Sequence, residues 1–156
     1  MEQANVHPYY IDEISYRFFQ KIDIVSDRRE QTKLLDEMLV GYCEYAKKYS
    51  SQQYSHTVQN SLNYIHENIE NKISLNDIAE QLKITPNHLA RQFRTETGKT
   101  VVEYINYTRV ITAANKLKHT SLSVADIAAS VGINDTNYFS RIFRKFMGCS
   151  PSEYKK

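Results

Sequence analysis

The chain has 156 residues, 41% of them hydrophobic and 24% charged, with a formal net charge of +2. That length supports one ordinary domain or two small ones around a real core, and no apolar run approaches the length of a membrane span. Cys43 and Cys149 lack the spacing of a disulfide framework or zinc ribbon, and four glycines with three prolines argue against a turn-rich β fold or a phosphate-cradling glycine loop.

The opening residues, MEQANVHPYY, show no basic region followed by an apolar stretch, so a cytoplasmic location and no membrane contact are expected. Charge is unevenly spread. Residues 1–56 hold seven Lys or Arg against nine Asp or Glu, whereas residues 57–156 hold thirteen against nine. The second part is the basic one, a bias that suits an acidic partner such as nucleic acid.

Helical periodicity begins early. Ile11, Ile14, Phe18 and Ile22 recur at spacings of three and four, as do Leu34, Leu35, Met38, Leu39, Tyr42, Tyr45, Ala46 and Tyr49, which predicts two amphipathic helices. The second has a start signal at Asp27, with Glu30 three residues on. Small polar residues in Tyr49–Ser55 interrupt the apolar stripe and mark a linker. Seven tyrosines fall in residues 1–56 (Tyr9, Tyr10, Tyr16, Tyr42, Tyr45, Tyr49, Tyr54). They either pack these helices onto the rest of the protein or, with Phe18, Phe19 and Met38, form an exposed stripe for a partner or a second copy. A third helix follows, marked by Val58, Leu62, Ile65 and Ile69.

From residue 74 the chain repeats. Ser74, Asp77, Ile78 and Ala79 match Ser123, Asp126, Ile127 and Ala128 at an offset of 49, as do Leu82 with Val131 and Ile84 with Ile133. Beyond a single inserted residue the offset becomes 50, pairing Phe93-Arg94 with Phe143-Arg144, Gly98 with Gly148, and Glu103-Tyr104 with Glu153-Tyr154. Two copies are too few for a solenoid and read as two similar small lobes.

Helix-start chemistry supports the repeat. Ser74 with Asp77, Thr100 with Glu103, Ser123 with Asp126 and Ser150 with Glu153 are four capping boxes, and losing such a cap typically costs about 1 kcal/mol. Pro86 and Pro151 stand at first helical positions, and Gly98 and Gly148 close the helices before them. Each copy therefore reads as a short helix (75–82; 124–131), a tight turn and a second helix (86–97; 136–147), which is a helix-turn-helix. Ala79 and Ala128 allow a close crossing, and Leu82, Ile84 and Leu89, or Val131, Ile133 and Phe139, hold the angle. Gly132 suits a left-handed turn. Lys83 in its place pays roughly 1 kcal/mol for that conformation, so the first turn is expected to differ slightly.

Between the copies a longer helix, 101–118, turns Val101, Tyr104, Ile105, Thr108, Ile111 and Leu117 inward. Its eighteen residues span roughly 27 Å, enough to hold two second helices about one B-DNA turn, or about 34 Å, apart. The architecture expected is thus all-α: two helix-turn-helix subdomains joined by a long linker helix and preceded by a helical arm, with residues 1–56 as arm and 57–156 as the basic domain.

Residues 57–156 resemble the DNA-binding domain of AraC/XylS-type transcription regulators. The resemblance is carried by Leu75-Asn-Asp-Ile-Ala-Glu-Gln-Leu82, Leu89-Ala-Arg-Gln-Phe-Arg94, Gly98, Arg109-Val-Ile-Thr-Ala113, Ile127-Ala128, Gly132 and especially Tyr138-Phe139-Ser-Arg141-Ile-Phe143-Arg-Lys145-Phe-Met-Gly148-Cys-Ser-Pro151-Ser-Glu-Tyr154. Residues 1–56 more weakly resemble the helical region before this domain in larger members, so the chain is expected to be a piece of a longer regulator. The resemblance implies double-stranded DNA as partner and RNA polymerase as a further one; the exposed-stripe alternative for the tyrosines implies a homodimer through residues 1–56. Its recognition helices offer Asn87, His88, Ala90, Arg91 and Arg94 in one copy and Thr136, Asn137, Ser140, Arg141 and Arg144 in the other. Arg91 and Arg141 are the foremost base readers, each good guanine pair giving about 1–3 kcal/mol of discrimination; Asn87 and Asn137 suit adenine, Ala90 offers a methyl contact, and Thr136 and Ser140 complete the reading set. Phosphate contacts are expected from Ser74, Thr100, Ser123 and Ser150 at helix starts and from Arg94, Lys99, Arg144 and Lys145.

Other features have plainer readings. Phe93, Phe143, Phe146, Tyr104 and Tyr154 are expected in the core, and Arg109 as the partner of a helix-start carboxylate such as Asp126. His66, His88 and His119 lack ligand spacing, Cys149 beside a helix start lacks a resolving cysteine, and no catalytic constellation is evident, so neither metal, cofactor nor enzyme activity is expected. The competing reading is a helical protein-interaction module whose basic face is incidental.

Overall fold

The computed structural model describes residues 14, 15, 18, 21, 22, 25, 27–50 and 54–155, with the backbone alone at 45 and 47–50. Tyr9, Tyr10, Ile11, Tyr16, Phe19 and positions 51–53 of the expected linker lie outside the described residues, as do the side chains of Tyr45 and Tyr49. Among the described residues there are eight complete helices and no strand. The chain divides into two compact units, Met1–Gln53 and Tyr54–Lys156.

In the first unit, α1 (Arg28–Ser50) starts where Asp27 Oδ1 accepts the Arg29 amide at 3.4 Å. Its Leu34 is buried with Ile14 and Phe18, and Val25, Met38 and Tyr42 pack around them. Tyr42 packs within this unit: its ring centroid lies 5.9 Å from that of Phe18, and its hydroxyl is 2.6 Å from Ser15 Oγ. Other apolar side chains of α1, Leu35, Leu39 and Val40, are exposed.

The second unit contains α2 (His56–Glu67), α3 (Leu75–Gln81), α4 (Pro86–Thr97), α5 (Val101–His119), α6 (Val124–Ser130), α7 (Thr136–Met147) and α8 (Pro151–Lys155). The expected bounds of α3 to α7 hold to within a residue because the caps are local; α2 ends at Glu67, so Ile69, expected on it, falls in the turn that follows. Ser74 and Thr100 form complete boxes with Asp77 and Glu103, and Ser150 does so with Glu153. Gly98 and Gly148 end α4 and α7 in the left-handed conformation.

Helices α3 and α4 pack on α2 to form one lobe, and α6, α7 and α8 pack together to form the other. Leu89 and Phe93 on α4, and Phe139 and Phe143 on α7, are completely buried. Truncating one such phenylalanine to alanine costs about 3–5 kcal/mol. Phe146 and Tyr154, expected in the core, are half-buried: they cap it, edge-on to Tyr107 and Phe143 at 5.6 and 5.5 Å.

Helix α5 touches α4, α6, α7 and α8. The expectation of a single inward face is too narrow, since Tyr107, Arg109, Val110, Ala113 and Ala114 are buried as well while Ile111 is only half-buried. A helix flanked by both lobes buries more than one stripe, while Val102, Glu103, Asn115, Lys118 and His119 stay exposed.

The two helix-turn-helix turns are alike, contrary to the expected difference. Lys83 takes φ 55° and Gly132 φ 76°. The Ile84 amide donates to Ala79 O at 3.0 Å, and the Ile133 amide to Ala128 O at 2.9 Å. The hydrogen-bonded turn is strong enough to impose the left-handed state on a lysine, at a cost of about 1 kcal/mol.

Candidate nucleic-acid interface

Each recognition helix is fixed at both ends and along its inner side. Thr85 Oγ1 accepts the His88 amide at 3.3 Å, and Pro86 fills the first helical position of α4. For α7 the cap is Asp135, whose Oδ1 accepts the Asn137 and Tyr138 amides at 2.9 and 3.0 Å. Sequence reasoning missed this cap; an aspartate just before Thr136 is the signal for it, and the inserted residue, Asn134, supplies the longer approach.

With Leu89 and Phe93 buried, Asn87, His88, Arg91 and Arg94 face outward and Ala90 is half-buried. With Phe139, Ile142, Phe143 and Met147 buried, Thr136, Asn137, Arg141 and Arg144 face outward and Ser140 is half-buried. Asn87, Arg91 and Arg94 follow a spacing of four then three, and so do Asn137, Arg141 and Arg144, so each trio shares one side of its helix. Arg141 is further oriented: its guanidinium carbon lies 5.4 Å from the Tyr138 ring centre, and the Tyr138 hydroxyl accepts from Asn106 of α5 at 2.8 Å.

The phosphate candidates divide by partner. Ser123 caps the Asp126 amide without the reciprocal bond of the expected box, but all four cap hydroxyls donate to the carboxylate three residues on: Ser74 to Asp77 at 2.8 Å, Thr100 to Glu103 at 2.9 Å, Ser123 to Asp126 at 2.6 Å and Ser150 to Glu153 at 2.6 Å. A phosphate there would compete with a negative group already in place. The basic candidates are placed differently. Lys99 lies 5.2 Å over Tyr107 and Lys145 lies 5.6 Å over Phe146, and those two rings meet edge-on. Glu103 is held below the usual carboxylate range mainly by the Thr100 amide and hydroxyl, and further by Lys145 and Arg94. Arg94, Lys99 and Lys145, from both copies, thus gather at the start of α5. Arg144 stands 3.8 Å from Glu153.

Arg109 is structural, as expected, but Asp126 is not the partner shown. Its Nε donates to Ile69 O at 3.2 Å and its Nη2 to Asn71 O at 2.5 Å, and burial pulls its pKa below the ordinary arginine value. Carbonyls carry no side-chain signature, so the sequence could not name them. Among the described residues no group of three His, Cys, Asp or Glu is placed to hold a metal ion, and no helix is long and apolar enough to cross a membrane.

Comparison with known proteins extends this geometry. A helix-turn-helix domain family model matches residues 78–156. The transcriptional activator AarP of Providencia stuartii is 36% identical over 111 residues, covering 71% of this chain and 82% of AarP. The transcriptional activator RhaR of Mannheimia succiniciproducens is 35% identical over 91 residues, covering 58% of this chain and 33% of RhaR. The match therefore spans about a third of RhaR's length. Among solved structures, the C-terminal domain of AraT, a response regulator from Geobacillus stearothermophilus, aligns with a TM-score of 0.65 at 32% identity, over 66% of this chain and 86% of that one.

Proposed function

The chain belongs to the AraC-type helix-turn-helix family, and we propose that it is a transcription regulator that reads double-stranded DNA with α4 and α7 in adjacent major-groove segments. The observation that carries this reading is the duplicated outward face, Asn87, Arg91 and Arg94 on one helix and Asn137, Arg141 and Arg144 on the other, backed by fully buried Leu89 and Phe93 in the first and by Phe139 and Phe143 in the second. Arg91 and Arg141 read guanine in two places, Asn87 and Asn137 suit adenine, and Ala90, Thr136 and Ser140 make the smaller base contacts. Arg94, Lys99, Arg144 and Lys145 neutralise phosphates, while Ser74, Thr100, Ser123 and Ser150 hold the helix starts. Residues 57–156, with the cap at Ser55, form the DNA-binding domain and residues 1–56 its arm.

The exposed Leu35, Leu39 and Val40 on α1 support a homodimer through the arm. The names of RhaR and AarP, both transcriptional activators, support activation and with it contact to RNA polymerase. A cytoplasmic location and the absence of enzymatic activity belong to the same reading. Fluorescence anisotropy on duplexes selected from a random pool tests it: affinity falls steeply with salt and drops on Arg91→Ala or Arg141→Ala. Unaltered binding in both variants removes these readers.

A further inference from the structure

The two lobes meet directly as well as through α5. The segment following α2, at Ile69–Asn71, belongs to the first lobe; the turn at Ser130–Gly132 belongs to the second. Arg109 reaches from α5 to the carbonyls of Ile69 and Asn71 at 3.2 and 2.5 Å. Gly132 presses against the same place: a methyl group on it would stand 2.9 Å from Arg109 Nη2, 2.9 Å from Glu70 O and 3.1 Å from Asn71 O. Lys116, two turns along α5, straps the junction from outside, donating to Glu70 Oε1 at 3.2 Å, Ser130 O at 3.2 Å and Ser130 Oγ at 3.1 Å. Thus two basic side chains of one helix hold a turn of each lobe, and the guanidinium is buried between them.

We infer that Arg109, with Gly132 and Lys116, fixes the angle between the two lobes and so determines which spacing of DNA half-sites the protein accepts. Arg109 is a positioning residue that touches no DNA. The inference rests on the DNA-binding reading above. Packing of both lobes on α5 sets the distance and the broad orientation of α4 and α7; the Arg109–Asn71 and Lys116–Ser130 contacts, with Gly132 against Glu70, tie the lobes to one another and stiffen that angle. An inserted base pair turns one half-site by roughly 35° about the duplex axis, so a rigid junction rejects it and a loosened one tolerates it.

The test uses the full chain and selected duplexes with the half-sites at the preferred separation or with one or two base pairs inserted. The unaltered chain loses about tenfold or more in affinity per insertion, a penalty of the size one wrong base pair brings. Arg109→Lys, which keeps the charge but loses the planar fork, reduces that discrimination to about threefold or less while affinity for an isolated half-site stays the same. Lys116→Met, at a half-exposed position, keeps the variant set informative if Arg109→Lys folds poorly, and reduces discrimination to an intermediate value. Folded variants that retain the full spacing penalty overturn the inference alone; an unaltered chain without sequence-specific binding overturns the DNA-binding reading and this inference together.

Discussion

Gly132→Ala separates conformational strain from packing at the lobe junction. Alanine at φ 76° costs about 1–2 kcal/mol for the left-handed state alone. The same substitution at Gly98 or Gly148, with φ 74° and 79°, incurs only that cost, because an added methyl meets nothing within 4 Å. At Gly132 the methyl drives against the Glu70 carbonyl and the Arg109 guanidinium, both at 2.9 Å. The backbone cannot yield as a side-chain tip can, so a charge-assisted hydrogen bond of Arg109, worth about 1.5–3 kcal/mol, is put at risk. The expected penalty is about 3 kcal/mol or more, against about 1–2 kcal/mol for the other two. Urea denaturation of the full chain, followed by circular dichroism, measures all three. A Gly132→Ala penalty no larger than those of Gly98→Ala and Gly148→Ala would refute the packed junction.

Other outcomes follow from the same contacts. Lys83→Gly relieves the left-handed strain of the first turn at a smaller entropic loss, and raises stability by about 0.5 kcal/mol in the same assay. Tyr138→Leu removes the ring beside Arg141 and weakens binding only to the half-site read by α7, by a few-fold in anisotropy titrations; equal loss at both half-sites would sink the orienting role. His66, within 3.0 Å of the Tyr104 hydroxyl, has its pKa lowered by burial. The unfolded chain therefore takes up this proton first, and the stability that the neutral ring contributes is full above about pH 6.5 and declines as pH falls below it. His66→Gln flattens that part of a melting-temperature profile, and an unchanged slope would exclude the histidine. Leu39→Glu on the exposed side of α1 shifts the proposed dimer to monomer in sedimentation, and an unchanged dimer would remove this face as its contact.

How far the sequence carried each feature depends on the range of the interaction behind it. The helix bounds of the second unit were legible because Ser74, Thr100, Ser150, Gly98 and Gly148 act within a turn of themselves, and the outward faces of α4 and α7 followed from Leu89, Phe93, Phe139 and Phe143. Asp135 escaped because a box pattern was sought and its carboxylate instead caps two amides without a reciprocal partner in that pattern. Arg109 was legible as structural, but its acceptors are carbonyls 38 and 40 residues away, which any residue type supplies equally. The burial of α5 on more than one face was illegible for a related reason: a stripe is read one face at a time, whereas this helix serves a different lobe on each side.

Ser55 carries a consequence for anyone dissecting the molecule. Its amide and hydroxyl both donate to Glu96 at 2.9 and 3.0 Å, Gln92 of the recognition helix α4 donates to its hydroxyl at 2.8 Å, and that hydroxyl also caps α2 through Val58. Neighbouring Tyr54 has its pKa pushed up to about 12 by burial and by Glu96. A cut at residue 57, where the change in charge invites it, would strip α2 of its cap and leave Glu96 of α4 without its Ser55 partner. The serviceable scissile point lies at or before residue 53, and a shorter fragment would report the damage of the cut as though it were a property of the arm.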